Sequence, residues 1–573
     1  MAVTAVADGG GALRRLRPDG TPAGRTDVVP DLTARMAELA GRPRPTDPAA
    51  ADRGPAPPRM LWAATGAIYP ALLRARVRVE RCHDVELTEA LLLGYDGRWG
   101  EPRSLAAAYA RLTGAPVPPD PPAPSAAPPG HGQTALFDDV PTSATVADPL
   151  GTLATVYADQ QRRIAGTERP GRFRLLVAAE SAGALAAAEM GAAGLPWRAD
   201  VHDALLTELL GPPSPVGGQP RRLGELSARI AAAFGVRQLH ADSPAEVLRA
   251  FARAGISVPN TRAWVLRGVD HPAVPLLLEY KELHRIWTAH GWTWRDAWVR
   301  DGRFRPEYVA GGVVSGRWAT RGGGALQIPK VIRRAAVADP GWCFVVADAA
   351  QLEPRVLAAM SGDRRLAAAA AAGDLYAALA RDAFGGDRDR AKVALLGAMY
   401  GQTGGAAVPA LAVLRRNYPV AFEYVESAAR TGEAGGLVRS WLGRTCPPAG
   451  TAHLAGPAAA LGEPGIDPLP PEPPGAGARA RGRFTRNFVI QATAAEWALI
   501  LLATVRQALA GTDAELVFFQ HDEVVVHCPA AQADEVTAAL RRCAEQATAT
   551  LFDATPVRVP LDASTVACYA DAG

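Results

Sequence analysis

Lysine is nearly absent from this chain. Of its 61 basic residues only Lys281, Lys330 and Lys392 are lysine. Against so strong an arginine background each lysine is a departure from prevailing usage. Arginine holds its proton too tightly to act as an acid, whereas a lysine pKa can be tuned. Cysteine is also scarce: six residues, at 82, 343, 446, 528, 543 and 568, with no Cys-x-x-Cys pair. That spacing argues against a disulfide framework or a zinc site and for free cytosolic thiols. Although 48% of residues are hydrophobic, no apolar run reaches 18, so no membrane span is expected. The N-terminus has no apolar core of a secretory signal. A net charge of +3 is too small to argue nucleic-acid binding by itself. The 573 residues suffice for three or more domains and a large core, and no internal repeat is visible.

What is present is a set of charges in places that are otherwise apolar. Phe518-Phe519-Gln520-His521-Asp522-Glu523-Val524-Val525-Val526 reads as a strand pair interrupted by a histidine and two carboxylates. Charges rarely sit at the turn of a buried hairpin unless something binds them. Phe344-Val345-Val346-Ala347-Asp348 has the same character, a buried strand ending in one carboxylate. Two strands that each deliver an Asp to one place can hold a pair of Mg²⁺ ions, the basis of two-metal phosphoryl transfer. Taken alone, either Asp equally suits a strand-end turn or a helix N-cap. Arg388, Lys392, Leu396 and Tyr400 are spaced by four, which places them down one side of a helix. Arg388 and Lys392 can then meet a triphosphate while Tyr400 faces a base pair. A solvated basic face would explain the Arg and Lys. It leaves Gly397 and Tyr400-Gly401, which let a base approach closely, without a reason.

These segments occur in a telling order. Asp348-Ala349-Ala350-Gln351-Leu352-Glu353-Pro354-Arg355 comes first, then Arg388-x-x-x-Lys392 with Tyr400-Gly401. Arg483-x-x-x-Asn487 and Gln491-Ala492-Thr493-Ala494-Ala495 follow, and His521-Asp522-Glu523 closes the series. In this order they resemble the family A DNA polymerases, the class of bacterial DNA polymerase I, from about Val236 to the C-terminus. The excess of Ala, Gly and Pro beside the arginine bias suggests a GC-rich, actinobacterial short form.

The resemblance implies an α/β multidomain chain built as a right hand, with an antiparallel-sheet palm and helical fingers and thumb. Ahead of it stands a truncated, ribonuclease H-like domain of the 3′→5′ exonuclease type. The expected divisions are 1–114 for the exonuclease-like domain and 115–147 for a Pro-rich linker. The thumb is expected over 148–301, with Glu279-Tyr280-Lys281-Glu282-Leu283 in its long helix. The first part of the palm is expected over 302–362, the fingers over 363–482 and the rest of the palm over 483–573. Within the fingers, 444–481 is rich in Pro, Gly and Ala and is expected to be a disordered insertion. In the first domain a strand is expected at Met60–Thr65, a helix at Ile68–Arg76, a strand at Val77–Glu80 and a helix at Leu87–Gly94. No strand carrying an Asp-x-Glu pair is found before Met60.

By the same resemblance, Asp348 and Asp522 hold two Mg²⁺ ions, for which Mn²⁺ can substitute, with the carbonyl of Ala349 as a further ligand. Lys392 binds the triphosphate and is placed to protonate the leaving pyrophosphate. Arg388, Gln351, Leu396, Tyr400 and Tyr376 belong to the nucleotide site. Glu353 blocks a 2′-OH, though a helix N-terminal charge explains it too. Arg317, Asn487 and Gln491 read minor-groove acceptors that correct pairs share, Arg483 supports them, and His521 touches the primer terminus. Four positions depart from the family pattern. Ala349-Ala350 replace an aromatic and a serine, Leu396 an aromatic, and Tyr376 a histidine.

The implied activity is template-directed addition of deoxynucleotides to a primer, in repair or gap filling. The alternatives are a non-catalytic primer-template binder and a polymerase that keeps exonuclease activity. Against the last, no early strand carries the Asp-x-Glu pair that two-metal digestion needs, and Asp84-Val85-Glu86 has that spacing in other surroundings. Primer-template DNA and deoxynucleoside triphosphates are the expected partners of a monomeric, cytoplasmic, nucleoid-associated protein. Gln133-Thr134-Ala135-Leu136-Phe137 resembles the peptide by which bacterial polymerases bind the sliding clamp, with Leu136 and Phe137 as its apolar anchors.

Overall fold

The structure is a computed structural model that describes residues 1–6, 9–40, 58–122, 148–213, 217–321, 324–371, 373–401, 407–448 and 476–572. The proposed clamp peptide and residues 449–475 lie outside these. The chain divides into two compact units. The first contains Met1–Ala193, Glu307–Arg321 and Val345–Ser564; the second contains Gly194–Pro306, Gly322–Phe344 and Thr565–Gly573. The division at Gly194 falls inside the span expected to be the thumb.

The first unit opens with a five-stranded sheet. From one edge its strands run Asp27–Val29, Gly11–Arg14, Ala2–Ala5, Met60–Trp62 and Cys82–Asp84. The first three pair antiparallel, and the last two join parallel to the central Ala2–Ala5. Alternation along the strands feeds two cores. Val3, Met60 and Trp62 pack with Tyr69 and Leu72. Ala2 and Leu61 pack with Val85, Leu150 and Leu153. Three strands therefore precede Met60, and none of them carries an Asp-x-Glu pair. The first two, AVTA and GALR, are short and carry no β-branched run to announce them. The strand expected at Val77–Glu80 is instead Cys82–Asp84, and the neighbouring helices are Thr65–Arg74 and Val85–Tyr95. Val77 and Val79 are buried, but as coil packed on the core.

Charged groups hold this region to the rest of the unit. Glu189, on the helix Pro170–Ala193, accepts from Arg506 Nε at 2.9 Å and from Arg78 at 2.6 Å, and the Tyr69 hydroxyl also bonds to it. Arg506 further donates to the Glu80 carbonyl at 2.8 Å. Arg506 ends the helix Ala476–Ala508, whose apolar stretch is long enough to cross a membrane. That stretch is 89% buried in the protein, so it serves as a core helix. The helix starts seven residues before the expected palm boundary. At the other end of the predicted insertion, Arg444, Thr445 and Cys446 are buried, with Arg444 ion-paired to Glu180. Both ends of the span expected to be disordered are thus ordered.

A second sheet of four strands runs Glu515–Gln520, Glu523–Pro529, Trp342–Ala349 and Leu561–Val566. Its two central strands are almost wholly buried, as their apolar sequences require.

The second unit is mainly helical, with Ala199–Leu210, Arg221–Ala233, Pro244–Arg253 and Ala273–His290 as its longer helices. Trp197, Trp294 and Phe304 form its aromatic core, with ring centroids 4.9 to 5.5 Å apart.

Candidate active site

Asp348 is the one exposed residue among the last seven of the strand Trp342–Ala349. Asp522 comes from the neighbouring hairpin. Its register pairs Gln520 with Glu523, so His521 and Asp522 alone form the turn. The Ala349 amide donates to the Asp522 carbonyl at 3.2 Å, which fixes one carboxylate-bearing segment beside the other. Burial and the nearby Asp348 push the Asp522 carboxyl up to about 7. Asp348 is raised as well, by loss of water on its flanks and by Asp562 on the next strand. Like charges held this close favour a cation, and oxygen donors suit a hard divalent ion.

His521 takes a left-handed backbone, φ 60°, at the first turn position, where glycine is favoured. The turn is held from below. The buried Tyr308 hydroxyl donates to the Phe519 carbonyl and accepts from the Phe519 amide, both at 3.1 Å. The Trp318 ring meets Phe519 edge-on at 5.3 Å, which seats the adjacent Arg317.

Arg317, Asp348, Ala349, Gln351, Glu353, Leu396, Tyr400, His521 and Asp522 line one cleft of about 280 Å³. Glu353 lies in the first turn of the helix Leu352–Ser361. It is shared between Arg317 and the Tyr400 hydroxyl, the latter at 2.6 Å. The helix-dipole explanation leaves those two partners unexplained.

Tyr400 ends the helix Arg388–Tyr400, which Asp387 caps by accepting from the Arg390 amide at 2.9 Å. Leu396 and Tyr400 reach the cleft; Arg388 and Lys392 stand farther along the helix. Lys392 is exposed. Arg388 donates to Asp374 at 2.8 Å, with its guanidinium 5.6 Å from the Tyr376 ring centre. Burial, with the Glu353 charge, pushes the Tyr376 phenol up to about 12. Asn487, Gln491 and Arg483 lie on the long helix but outside the lining of this cleft. Arg483 packs over Gly401, where a Cβ would come within 3.0 Å of it.

Two residues of the site were not anticipated. Asp374 caps the helix Leu375–Ala383 and anchors Arg388. Arg355 is fully buried beneath the cleft. Its signal in the sequence is an arginine on the apolar face of a short helix, between Pro354 and Val356.

The DNA polymerase family A model matches residues 220–568. The DNA polymerase I of Chloroflexus aurantiacus is 29% identical over 304 residues, covering 47% of this chain and 29% of that protein. The thermostable DNA polymerase I of Thermus filiformis is 28% identical over 320 residues, 52% of this chain and 36% of that protein. That of Thermus aquaticus is 26% identical over 332 residues, 53% of this chain and 37% of that protein. The chain thus spans about a third of the length of these curated relatives. Among solved structures, the fold resembles the POL domain of Pol1 from M. smegmatis in complex with DNA primer-template and dNTP. The TM-score is 0.68 at 18% identity, over 100% of this chain and 95% of that one.

Proposed function

From the premise that the chain belongs to DNA polymerase family A, we propose that it extends primers on a DNA template using deoxynucleoside triphosphates. The observation that carries this reading is the pairing of Asp348 and Asp522 in a cleft that Glu353 and Tyr400 also line. The donor set of two carboxylates and the Ala349 carbonyl fits two Mg²⁺ ions. The chemistry such ions supply is activation of the primer 3′-OH and neutralisation of charge on the departing pyrophosphate. The rest falls to the chain. Arg388 and Lys392 lie where the triphosphate would extend along their helix. Glu353, held between Arg317 and Tyr400, fills the space beside a sugar 2′ position. Arg317, Asn487 and Gln491 face the minor groove of the nascent pair, with Arg483 behind them, and His521 meets the primer end.

The sheet domain contributes no digestion in this reading. Its central strand reads Ala2-Val3-Thr4-Ala5, without a carboxylate. Asp84 is committed to capping, accepting from the Leu87 amide at 2.9 Å and the Thr65 amide at 2.7 Å.

A labelled primer-template with Mg²⁺ and each deoxynucleotide in turn tests the proposal. The wild-type chain is expected to extend the primer. Asp348→Ala and Asp522→Ala are expected to bind the duplex and fail to extend it, because phosphate contacts hold DNA while the carboxylates serve the chemistry. A wild-type chain that binds and never extends would leave a non-catalytic primer-template binder. Shortening of the primer without nucleotides would restore the exonuclease.

A further inference from the structure

Arg355 joins the two halves of this cleft, and nothing in the proposed reaction yet uses it. The side chain is completely buried. A guanidinium out of water is costly unless its donors are satisfied, and those of Arg355 fan out to separate parts of the chain. Nε donates to the Ala350 carbonyl at 3.0 Å. One terminal nitrogen donates to the carbonyls of Ala370 at 2.6 Å and Arg558 at 2.8 Å. The other donates to the Gly373 carbonyl at 2.5 Å and the Gln351 side-chain oxygen at 3.2 Å.

Each acceptor belongs to the site's framework. Ala350 follows the Asp348-Ala349 strand end. Gln351, in the left-handed conformation at φ 58°, begins the helix that presents Glu353. Gln351 in turn donates to Asp374 at 2.9 Å and accepts from the Leu375 amide at 2.9 Å. Asp374 holds Arg388. An unbroken hydrogen-bonded path therefore leads from the carboxylate strand through Arg355, Gln351 and Asp374 to the first basic residue of the nucleotide helix.

We propose that Arg355 is a positioning residue that fixes the distance between the metal-holding strand end and the triphosphate-facing helix. This role rests on the polymerase reading above. The planar fork matters more than the charge. A lysine has one nitrogen in place of three and cannot reach five acceptors spread over a plane.

The test is single-turnover extension by the full chain, with apparent nucleotide affinity and maximal rate measured separately. Primer-template affinity and melting temperature are measured beside them. Arg355→Lys is expected to weaken apparent nucleotide affinity about tenfold or more, the scale on which small misplacements act, with duplex affinity unchanged. Gln351→Ala cuts the path one step later and leaves the buried guanidinium in place. It is expected to weaken nucleotide affinity in the same direction, with a smaller fall in melting temperature than Arg355→Lys, since four of the five Arg355 acceptors remain. Wild-type nucleotide affinity in Gln351→Ala would overturn the proposal. So would an Arg355→Lys chain that loses maximal rate and melting temperature but binds nucleotide normally. A wild-type chain that extends no primer would instead overturn the polymerase reading.

Discussion

Asp522 carries a cost of burial beside a second carboxylate. Its carboxyl is pushed up to about 7, well above the ordinary aspartate value of 3.8. Ionisation is therefore harder in the folded chain than in the unfolded one. The penalty is absent below pH 4, grows as pH rises toward 7 and is complete above it. Asp522→Asn should thus raise the melting temperature at pH 8 in chelator and change it little at pH 4. Equal shifts at both values, read by scanning fluorimetry, would mean that charge is not the cause. At this scale the sequence spoke clearly where a functional residue interrupts a pattern. Asp348 and Asp522 end apolar strands, and Tyr400 completes a four-residue spacing. Arg355 was marked only by its charge on an apolar helix face, and its partners were silent for a physical reason. Most of its partners are backbone carbonyls at Ala350, Ala370, Gly373 and Arg558, and a carbonyl leaves no mark in sequence. Asp374 was silent in another way, since a helix cap and an arginine anchor look alike until the helices are packed.

The hairpin shows the same tension in an element. A two-residue turn with a left-handed first position asks for glycine, and here it holds His521. The strain is worth ~1–2 kcal/mol. Glycine would relieve it but loses up to ~1 kcal/mol to the freer unfolded chain. His521→Gly should therefore stabilise the protein by about 1 kcal/mol in urea unfolding, with an unchanged m value, while slowing primer extension. A less stable variant would show that contacts of the imidazole outweigh the strain. Strong β-branched and aromatic runs made both strands of this hairpin and the Asp348 strand legible in advance. The strands Ala2–Ala5 and Gly11–Arg14 were not, because their residues, AVTA and GALR, favour no element. They become strands by pairing with each other and by burying Val3 and Leu13. The pair Val77 and Val79 misled in the opposite direction, being buried without being paired.

For the molecule as a whole, Glu189 is the junction to watch. Two arginines and a tyrosine converge on it from the sheet domain and from the far end of the long helix. Despite burial, those cations hold its carboxyl below the usual 4.5. Its contribution to stability is therefore present above pH 4.5 and is lost as acid protonates the folded state. Glu189→Gln should destabilise the chain by roughly 3 kcal/mol near pH 7, because Arg506 stays buried beside an uncharged partner. The difference from wild type should narrow below pH 4. A constant difference down to pH 3 would assign the effect to packing. The placement of residues 1–114 in one compact unit with the carboxylate-bearing sheet was not legible, since it depends on contacts such as Tyr69 with Glu189 more than a hundred positions apart.

That shared unit changes what the first hundred residues mean. The central strand of this sheet carries no acidic residue, so nothing in its own sequence marks the sheet as needed. Its core, however, includes Leu185 of the neighbouring helix, and its Tyr69 and Arg78 neutralise a carboxylate that helix cannot satisfy alone. Removing the sheet would strip that helix of its cover and leave Glu189 and Arg506 to solvent. The sheet thus acts as a buttress for the rest of its unit.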